Sequence, residues 1–526
     1  MPKVLISDSL SPAAVKIFEQ RGIETDIKIG LKPDELKDII GNYDGLAIRS
    51  ATKVTADILG AAKNLKVVGR AGIGVDNVDV PAATARGVIV MNTPFGNSIT
   101  TAEHAIAMMF ALARQLPAAN ASTHAGKWEK SRFMGVEVTG KTLGIVGCGN
   151  IGSIVAERAL GLKMKVVTYD PFLTPERAQK MGVEKVELDQ LWPRADFITL
   201  HTPMTDATRG IVNAAALGKC KKGVYIINCA RGGLVVEADL QAALESGHVA
   251  GAALDVFAEE PAKQHPLFGN EKVVCTPHLG ASTTEAQENV ALQVAEQMSD
   301  YLLTGAVTNA LNMPSVSAED APKLRPYLGL AAQIGAFAGQ ITGSAISAVT
   351  LEYEGDVATL NTRPITNMIV MGLLRPSMDS VNMVNAPVVA KERGIKISET
   401  TNNNSGDFHT LIRLTVESAD GATVLAGSLF SGKPRLIAIN DVTLEAELTP
   451  HMLFVRNQDK PGFIGRLGTL LGEAGINIAN FMLGRNAPGA DAVCLVAVDG
   501  DIPPAMQDRV KALPGVVSAF ALAFAA

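Results

Sequence analysis

Three side chains able to do chemistry stand where apolar strands run out: Arg231 after "VYIINCA", Glu260 after "ALDVFAE" and His278 after "KVVCTP". A histidine exchanges protons near neutrality, a carboxylate bonded to it fixes its tautomer, and a guanidinium grips an anion with a planar fork. Together these types suit removal of a proton from a hydroxyl whose carbon also gives up a hydride, with the arginine holding the substrate's oxygens. Singly they read more blandly, as a solvated strand-end arginine, a loop carboxylate like Glu259 and a structural histidine. Matched placement favours the chemistry, because open α/β sheets bind ligands at the carboxyl ends of their strands.

A hydride needs an acceptor. In "KTLGIVGCGNIGSIVAERALG", Gly147, Gly149 and Gly152 form G-x-G-x-x-G between an apolar strand and an amphipathic helix. In that context the first glycine allows a tight turn, the second lets the backbone approach a pyrophosphate, and the third permits close helix packing. The helix N-terminus then favours the phosphate charge. Asp170 ends the next strand, "MKVVTYD", where an acid binds ribose hydroxyls and repels the extra phosphate of NADP. NAD is therefore the expected cofactor. Cations at other strand ends could read a second anion: Arg49 and Lys53 in "AIRSATKV", Arg70 in "GRAGIGVDN" and Arg132 in "KSRFMG". Gly72 and Gly74 beside Arg70 should leave backbone N–H groups free for a carboxylate.

The elements that must position these residues follow from periodicity. Residues 1 to 97 alternate short apolar strands with helical patterns, as βα units of a parallel sheet do. "SITTAEHAIAMMFALARQLPAANAST" is predicted as one long helix, and a second α/β run continues from "TLGIVGC" to "VVCTPHLG". A helix near 283 to 303 closes that run. From about Pro314 the style changes, and from Leu453 the order strand, helix, strand, strand, helix, strand predicts a ferredoxin-like unit.

The uncharged stretch from Pro326 to Leu351 carries Gly335, Gly339 and Gly343 at the four-residue spacing of membrane helix contacts. It is too poor in large aliphatic residues for hydrocarbon, so a soluble helix ending near Gly343 and a strand from Ile346 are predicted. The chain has 526 residues, 47% hydrophobic and 19% charged, with a net charge of −6. That balance fits several packed domains and argues against a nucleic-acid or acidic-membrane binder. Cys148, Cys220, Cys229, Cys275 and Cys494 show no metal or disulfide spacing, which suits a reducing cytoplasm. No metal is expected, and an opening that already reads as a strand leaves no room for a signal peptide before it.

These motifs, with "VVGRAGIGVDNVD", "VMNTPFGNS", "NCARGGLVVEADL", "GAALDVFAEEP" and "CTPHLGAST", resemble the D-isomer-specific 2-hydroxyacid dehydrogenases over residues 1 to 312. The resemblance implies that Arg231, Glu260 and His278 form the active site. It places NAD contacts on Asn150, Ile151, Asp170, Thr202, Cys229, Ala230, Arg231, Asp255 and the turn His278, Leu279, Gly280, Ala281. It assigns Arg49, Arg70 and Arg132 to phosphate or carboxylate binding, Arg132 in a neighbouring subunit's site. "DKPGFIG" (Asp459, Pro461, Gly462) and "GINI" (Gly475, Asn477) resemble an ACT domain, where Asp459 and Asn477 would hold an amino-acid effector. Asn457 stands where serine-binding members often carry a larger aromatic or imidazole side chain. Residues 315 to 445 resemble the intervening domain of the long serine-pathway members.

The implied architecture is α/β: two Rossmann-like domains followed by an α+β intervening domain and a ferredoxin-like ACT domain. A discontinuous substrate domain takes residues 1–97 and 286–312, the NAD domain 98–285, the intervening domain 315–445 and the ACT domain 451–526. The implied activity is NAD-dependent oxidation of 3-phosphoglycerate to 3-phosphohydroxypyruvate in L-serine biosynthesis, with serine as a candidate effector and a homodimer or homotetramer as the assembly. The competing readings are a glycerate/hydroxypyruvate or 2-oxoglutarate reductase and an NADH-sensing corepressor.

Overall fold

The computed structural model describes residues 1–317, 319–378, 380–404, 406 and 408–524. Its first sheet is parallel, with spatial order Glu24–Ile27, Lys3–Ile6, Gly45–Ile48, Val67–Arg70, Ile89–Met91. The inner strands are buried on both faces, which is why they read as unbroken apolar runs rather than alternations. The edge strand Glu24–Ile27 is half exposed and polar, so it carries no such signal in the sequence. Helix Thr284–Thr304 returns to this sheet, with Met298 seated over Gly45 and Gly69, where any side chain would collide with it.

The second sheet is also parallel and runs Val273–Cys275, Val249–Leu254, Val224–Asn228, Phe197–Leu200, Thr142–Val146, Lys165–Tyr169, Glu184–Lys185. Its order reverses between Thr142–Val146 and Phe197–Leu200, and a dinucleotide crevice lies at such a switch point. The predicted helix over 98–123 is two helices, Ser98–Ala113 and Leu116–His124, because Gln115 adopts a left-handed φ of 51°. The first packs Ala102, Ala105, Met109 and Leu112 into the core beneath the second sheet.

Helix Ala321–Ile341 and strand Ile346–Gly355 stand where expected. Gly335 and Gly339 press onto the Ile369 and Leu373 carbonyls of helix Arg363–Leu374, so the four-residue spacing serves backbone contact between two soluble helices. Among the described residues no helix is long and apolar enough to cross a membrane. A six-stranded mixed sheet covers this pair, and the last four strands form the order Ile478–Arg485, Asp491–Val498, His451–Gln458, Val516–Ala523. Those strands and two intervening helices give the predicted ferredoxin-like unit, with Gly462 at φ 87° making the turn into the first helix. It shares a core with the preceding domain, Phe337 and Phe454 lying with ring centres 5.3 Å apart.

Candidate active site

The structure brings Arg231, Glu260 and His278 to the carboxyl ends of neighbouring strands. Strand Val224–Asn228 ends in buried Asn228, whose amide donates to the Arg231 carbonyl (2.8 Å) and accepts from Ala230 N–H (3.1 Å). That closed turn swings Arg231 off the sheet. Gly232 then lies against the Phe257 backbone so closely that a Cβ would overlap it. Close approach, not a special dihedral, demands the glycine. Phe257 N–H donates to Glu260 Oε1 (3.0 Å), and Glu260 Oε2 lies 2.7 Å from His278 Nδ1. One oxygen fixes the loop and the other the imidazole, which leaves Nε2 for a substrate proton.

The turn carrying His278 (φ 56°) is built on Asp255. Asp255 is fully buried, and its carboxylate accepts from Leu279 N–H (2.7 Å), Gly280 N–H (2.8 Å) and Thr276 Oγ1 (2.6 Å). His104 Nε2 lies 3.2 Å from the same carboxylate. Burial alone would push this carboxyl up, but His104, Thr276 and the turn's N–H outweigh it and hold Asp255 below the ordinary carboxylate range. Asp255, expected among the cofactor contacts, is buried and holds the turn that carries His278. His104 and Thr276 were missed, since no spacing in sequence links helix Ser98–Ala113 to residue 255.

Arg70 and Arg231, two of the cations expected to meet an anion, gather around "GRAGIG". Arg70 folds over Gly72 (φ 143°) and Arg231 Nη2 lies over Gly74; a Cβ at either glycine would strike the guanidinium. Arg70 Nε is buried without a protein partner among the described residues. Burial, then the adjacent charge of Arg231, brings the Arg70 guanidinium down to about 10, with Asp76 opposing and Arg49 adding to the push. It stays cationic at neutral pH, and an incoming anion would relieve the repulsion. Arg49 sits on a loop held by buried Asp8, which accepts from Arg49 N–H (2.6 Å), and by Asn77, which donates to the Arg49 carbonyl (2.7 Å).

One expectation needs correction here. Gly72 N–H is not free, because it donates to Thr93 Oγ1 at 2.7 Å. Lys53 is exposed and meets no carboxylate among the described residues. Arg132 is paired with Glu129 (3.0 Å) and Glu271 (2.6 Å). Glu271 precedes strand Val273–Cys275, whose opposite end leads to His278, so Arg132 lies away from its own chain's cleft.

The glycine loop fits a dinucleotide. Gly147 has φ 93° and touches the His201–Thr202 backbone, a Cβ at Gly149 would meet nothing within 4 Å, and one at Gly152 would overlap the Gly147 carbonyl. Helix Asn150–Gly161 starts there, bringing Asn150 and Ile151 to the loop. Asp170 is pinned by Cys148 N–H (2.7 Å) and Phe172 N–H (2.8 Å), which aims its carboxylate along the loop. Cys229, after strand Val224–Asn228, is buried, and burial pushes its thiol up. Ala230 and Ala281 are half-buried beside the cleft and Leu279 is exposed. Asp170→Ala should weaken NADH binding by about 10- to 100-fold while raising the NADP-to-NAD preference. A fluorescence titration in which that preference does not move would remove Asp170 from the ribose.

The terminal domain differs from expectation in detail. Asp459 accepts from Gly489 N–H and pairs with Arg485, while Asn477 donates to Asp499 (2.7 Å). Both contacts of Asp459 fall on Oδ2, and Asn477 is exposed with only its Nδ2 engaged. Asn457 is buried, with its Oδ1 unpaired among the described residues. Among the described residues no cluster could hold a metal.

Comparison with known proteins places this geometry. The family model for the D-isomer specific 2-hydroxyacid dehydrogenase NAD-binding domain matches residues 106–280. The D-3-phosphoglycerate dehydrogenase intervening domain matches 323–440, and the ACT domain 451–515. The TT0316 protein from Thermus thermophilus superposes with a TM-score of 0.55 at 34% identity, covering 59% of this chain and 99% of that one. Fold and site thus define an NAD-dependent dehydrogenase of the D-2-hydroxyacid class. The "D-3-phosphoglycerate dehydrogenase" of a Synechocystis strain is 43% identical over 99% of this chain and 94% of its own. That of Bacillus subtilis strain 168 is 42% identical over 98% and 99%. The chain belongs to the D-3-phosphoglycerate dehydrogenase family.

Proposed function

We propose that this chain oxidises D-3-phosphoglycerate to 3-phosphohydroxypyruvate with NAD, opening L-serine biosynthesis in the cytoplasm. The observation that carries the reading is the gathering of Arg49, Arg70 and Arg231 around Gly72 and Gly74, on the cleft that also holds the His278–Glu260 pair. A hydroxy acid needs one cation near the reacting carbon. A phosphorylated one needs more, and the buried, unpartnered Nε of Arg70 suits it. NAD, bound at the glycine loop, supplies the hydride acceptor. His278 Nε2 takes the C2 hydroxyl proton, and Glu260 holds Nδ1–H and steadies the imidazolium that results. Arg231 holds the oxygen on which carbonyl character develops, Arg49 and Arg70 hold the phosphate, and Gly74 N–H is left for the carboxylate. Asp255 acts through the turn it shapes rather than by touching substrate.

Arg132, directed away from its own cleft, would complete a partner subunit's site in a dimer or tetramer. In the ACT domain Asp459 and Asn477 would hold L-serine, each with one side-chain oxygen not engaged by a protein partner among the described residues. One panel tests both levels: 3-phosphoglycerate, glycerate and 2-hydroxyglutarate with NAD and with NADP, each with and without millimolar serine. The expected result is the highest kcat/KM for 3-phosphoglycerate with NAD, lowered by serine. Equal kcat/KM for glycerate would remove the phosphate assignment, absence of turnover with every substrate would favour a sensor of NADH, and indifference to serine would remove the effector.

A further inference from the structure

Arg231 is held in an unusual way. Its Nε donates to Asp76 Oδ2 at 3.0 Å and its Nη1 to its own Ala230 carbonyl at 2.7 Å. Nη2 has no protein partner among the described residues and lies over Gly74. Two corners of the fork are tied and one is presented. The Nε tie crosses between domains: Asp76 follows "GRAGIGV" at the end of strand Val67–Arg70 in the first sheet, whereas Arg231 follows strand Val224–Asn228 in the second. The platform under Asp76 is firm. Its neighbour Asn77 donates to the carbonyls of Arg49 (2.7 Å) and Thr52 (2.6 Å), and the Asn77 carbonyl accepts from Val54 N–H (2.8 Å).

We infer that Asp76 is a positioning residue for the reaction, holding Arg231 Nε across the domain cleft so that Nη2, laid over Gly74, meets the substrate. The inference rests on the dehydrogenase reading above and extends it to a residue that touches the substrate only through Arg231. A planar guanidinium anchored at one nitrogen alone can still swing about its long stem; a second anchor fixes the plane. Because the two anchors belong to different domains, Arg231 is correctly aimed only when the cleft is closed to this spacing. Catalysis is sensitive to such aim, since small misplacements of a reacting geometry cost large factors in rate.

The ion pair is not there for stability. The Asp76 side chain is 70% exposed and that of Arg231 30%, and exposed pairs contribute little to folding. Asp76 accepts from Nε on the edge that Nε shares with Nη2, and Nη2 itself keeps no protein partner among the described residues. The same loop also fixes Arg49 through Asn77. Arg49 and Arg231 are therefore both referenced to one short segment, residues 74 to 77.

The test compares D76A and D76N with the unaltered protein in steady-state oxidation of 3-phosphoglycerate, alongside NADH affinity and thermal midpoint. For D76A the expected result is a fall of about 10- to 100-fold in kcat/KM, expressed mainly in kcat. NADH affinity and midpoint should stay unchanged. D76N keeps an oxygen that accepts from Nε–H and should recover to within about fivefold of the unaltered enzyme. Unchanged kcat/KM in D76A overturns the inference, as does a fall in KM at constant kcat, which would make Asp76 a competitor of substrate. So does D76N as impaired as D76A, or a loss of NADH affinity or thermal midpoint, which would make the role structural. If the unaltered protein fails to turn over 3-phosphoglycerate, the functional reading itself falls and this inference with it.

Discussion

His278→Asn should lower kcat by about 10²- to 10⁴-fold, the usual contribution of a positioned general base, and leave NADH affinity nearly unchanged. Asparagine is the better replacement because His278 has φ 56°. Asn tolerates the left-handed region, whereas alanine would pay roughly 1–2 kcal/mol there and disturb the turn held by Asp255. The variant therefore removes the base without unbuilding Leu279 and Gly280, whose N–H groups stay on the Asp255 carboxylate. Glu260→Gln should fall less, since the imidazole keeps an acceptor on Nδ1 but loses the charge that steadies it when protonated. Stopped-flow turnover with a parallel NADH titration checks both. An H278N enzyme within tenfold of the unaltered kcat would mean that the proton leaves by another route.

Arg70→Ala should reduce kcat/KM for 3-phosphoglycerate by ~2–4 kcal/mol, or about 30- to 1000-fold, and change the value for glycerate by less than about threefold. The size follows from burial: Arg70 Nε lies out of water with no protein partner among the described residues, so its full charge is available to a phosphate. Arg49 is half-buried and already touches the Ser9 carbonyl at 3.4 Å. Its removal should matter less and should be masked by salt, which screens exposed charge more. Substrate kinetics at two ionic strengths separate the two arginines. Equal losses on both substrates would assign them to the carboxylate end instead.

Most of what could be read in the chain was local. The strands of both parallel sheets announce themselves because burial on two faces leaves only apolar residues, and "GCGNIG" announces a cofactor because its three glycines fall within six residues between a strand and a helix. Strand Glu24–Ile27 escaped because an edge has no buried face to pattern. The division of one predicted helix at Gln115 escaped because nothing in "ARQLPA" requires a left-handed residue there. Gly72 shows the other kind of miss. Its lack of a side chain is needed, as expected, but Arg70 takes the space and Thr93 takes the N–H.

By itself the sequence determined the fold class and the NAD cofactor, and it singled out Asp170, Arg231, Glu260 and His278 by residue type and place at a strand end. The tertiary structure alone decided who partners whom. Arg231 meets Asp76 across 155 residues, and His104 stands with Thr276 across 172. It also turned Arg132 away from its own cleft and enclosed Asp255. The physical reason is that parallel sheets set strand ends side by side regardless of their distance along the chain, so the charges that aim a catalytic group lie in segments with no spacing in common.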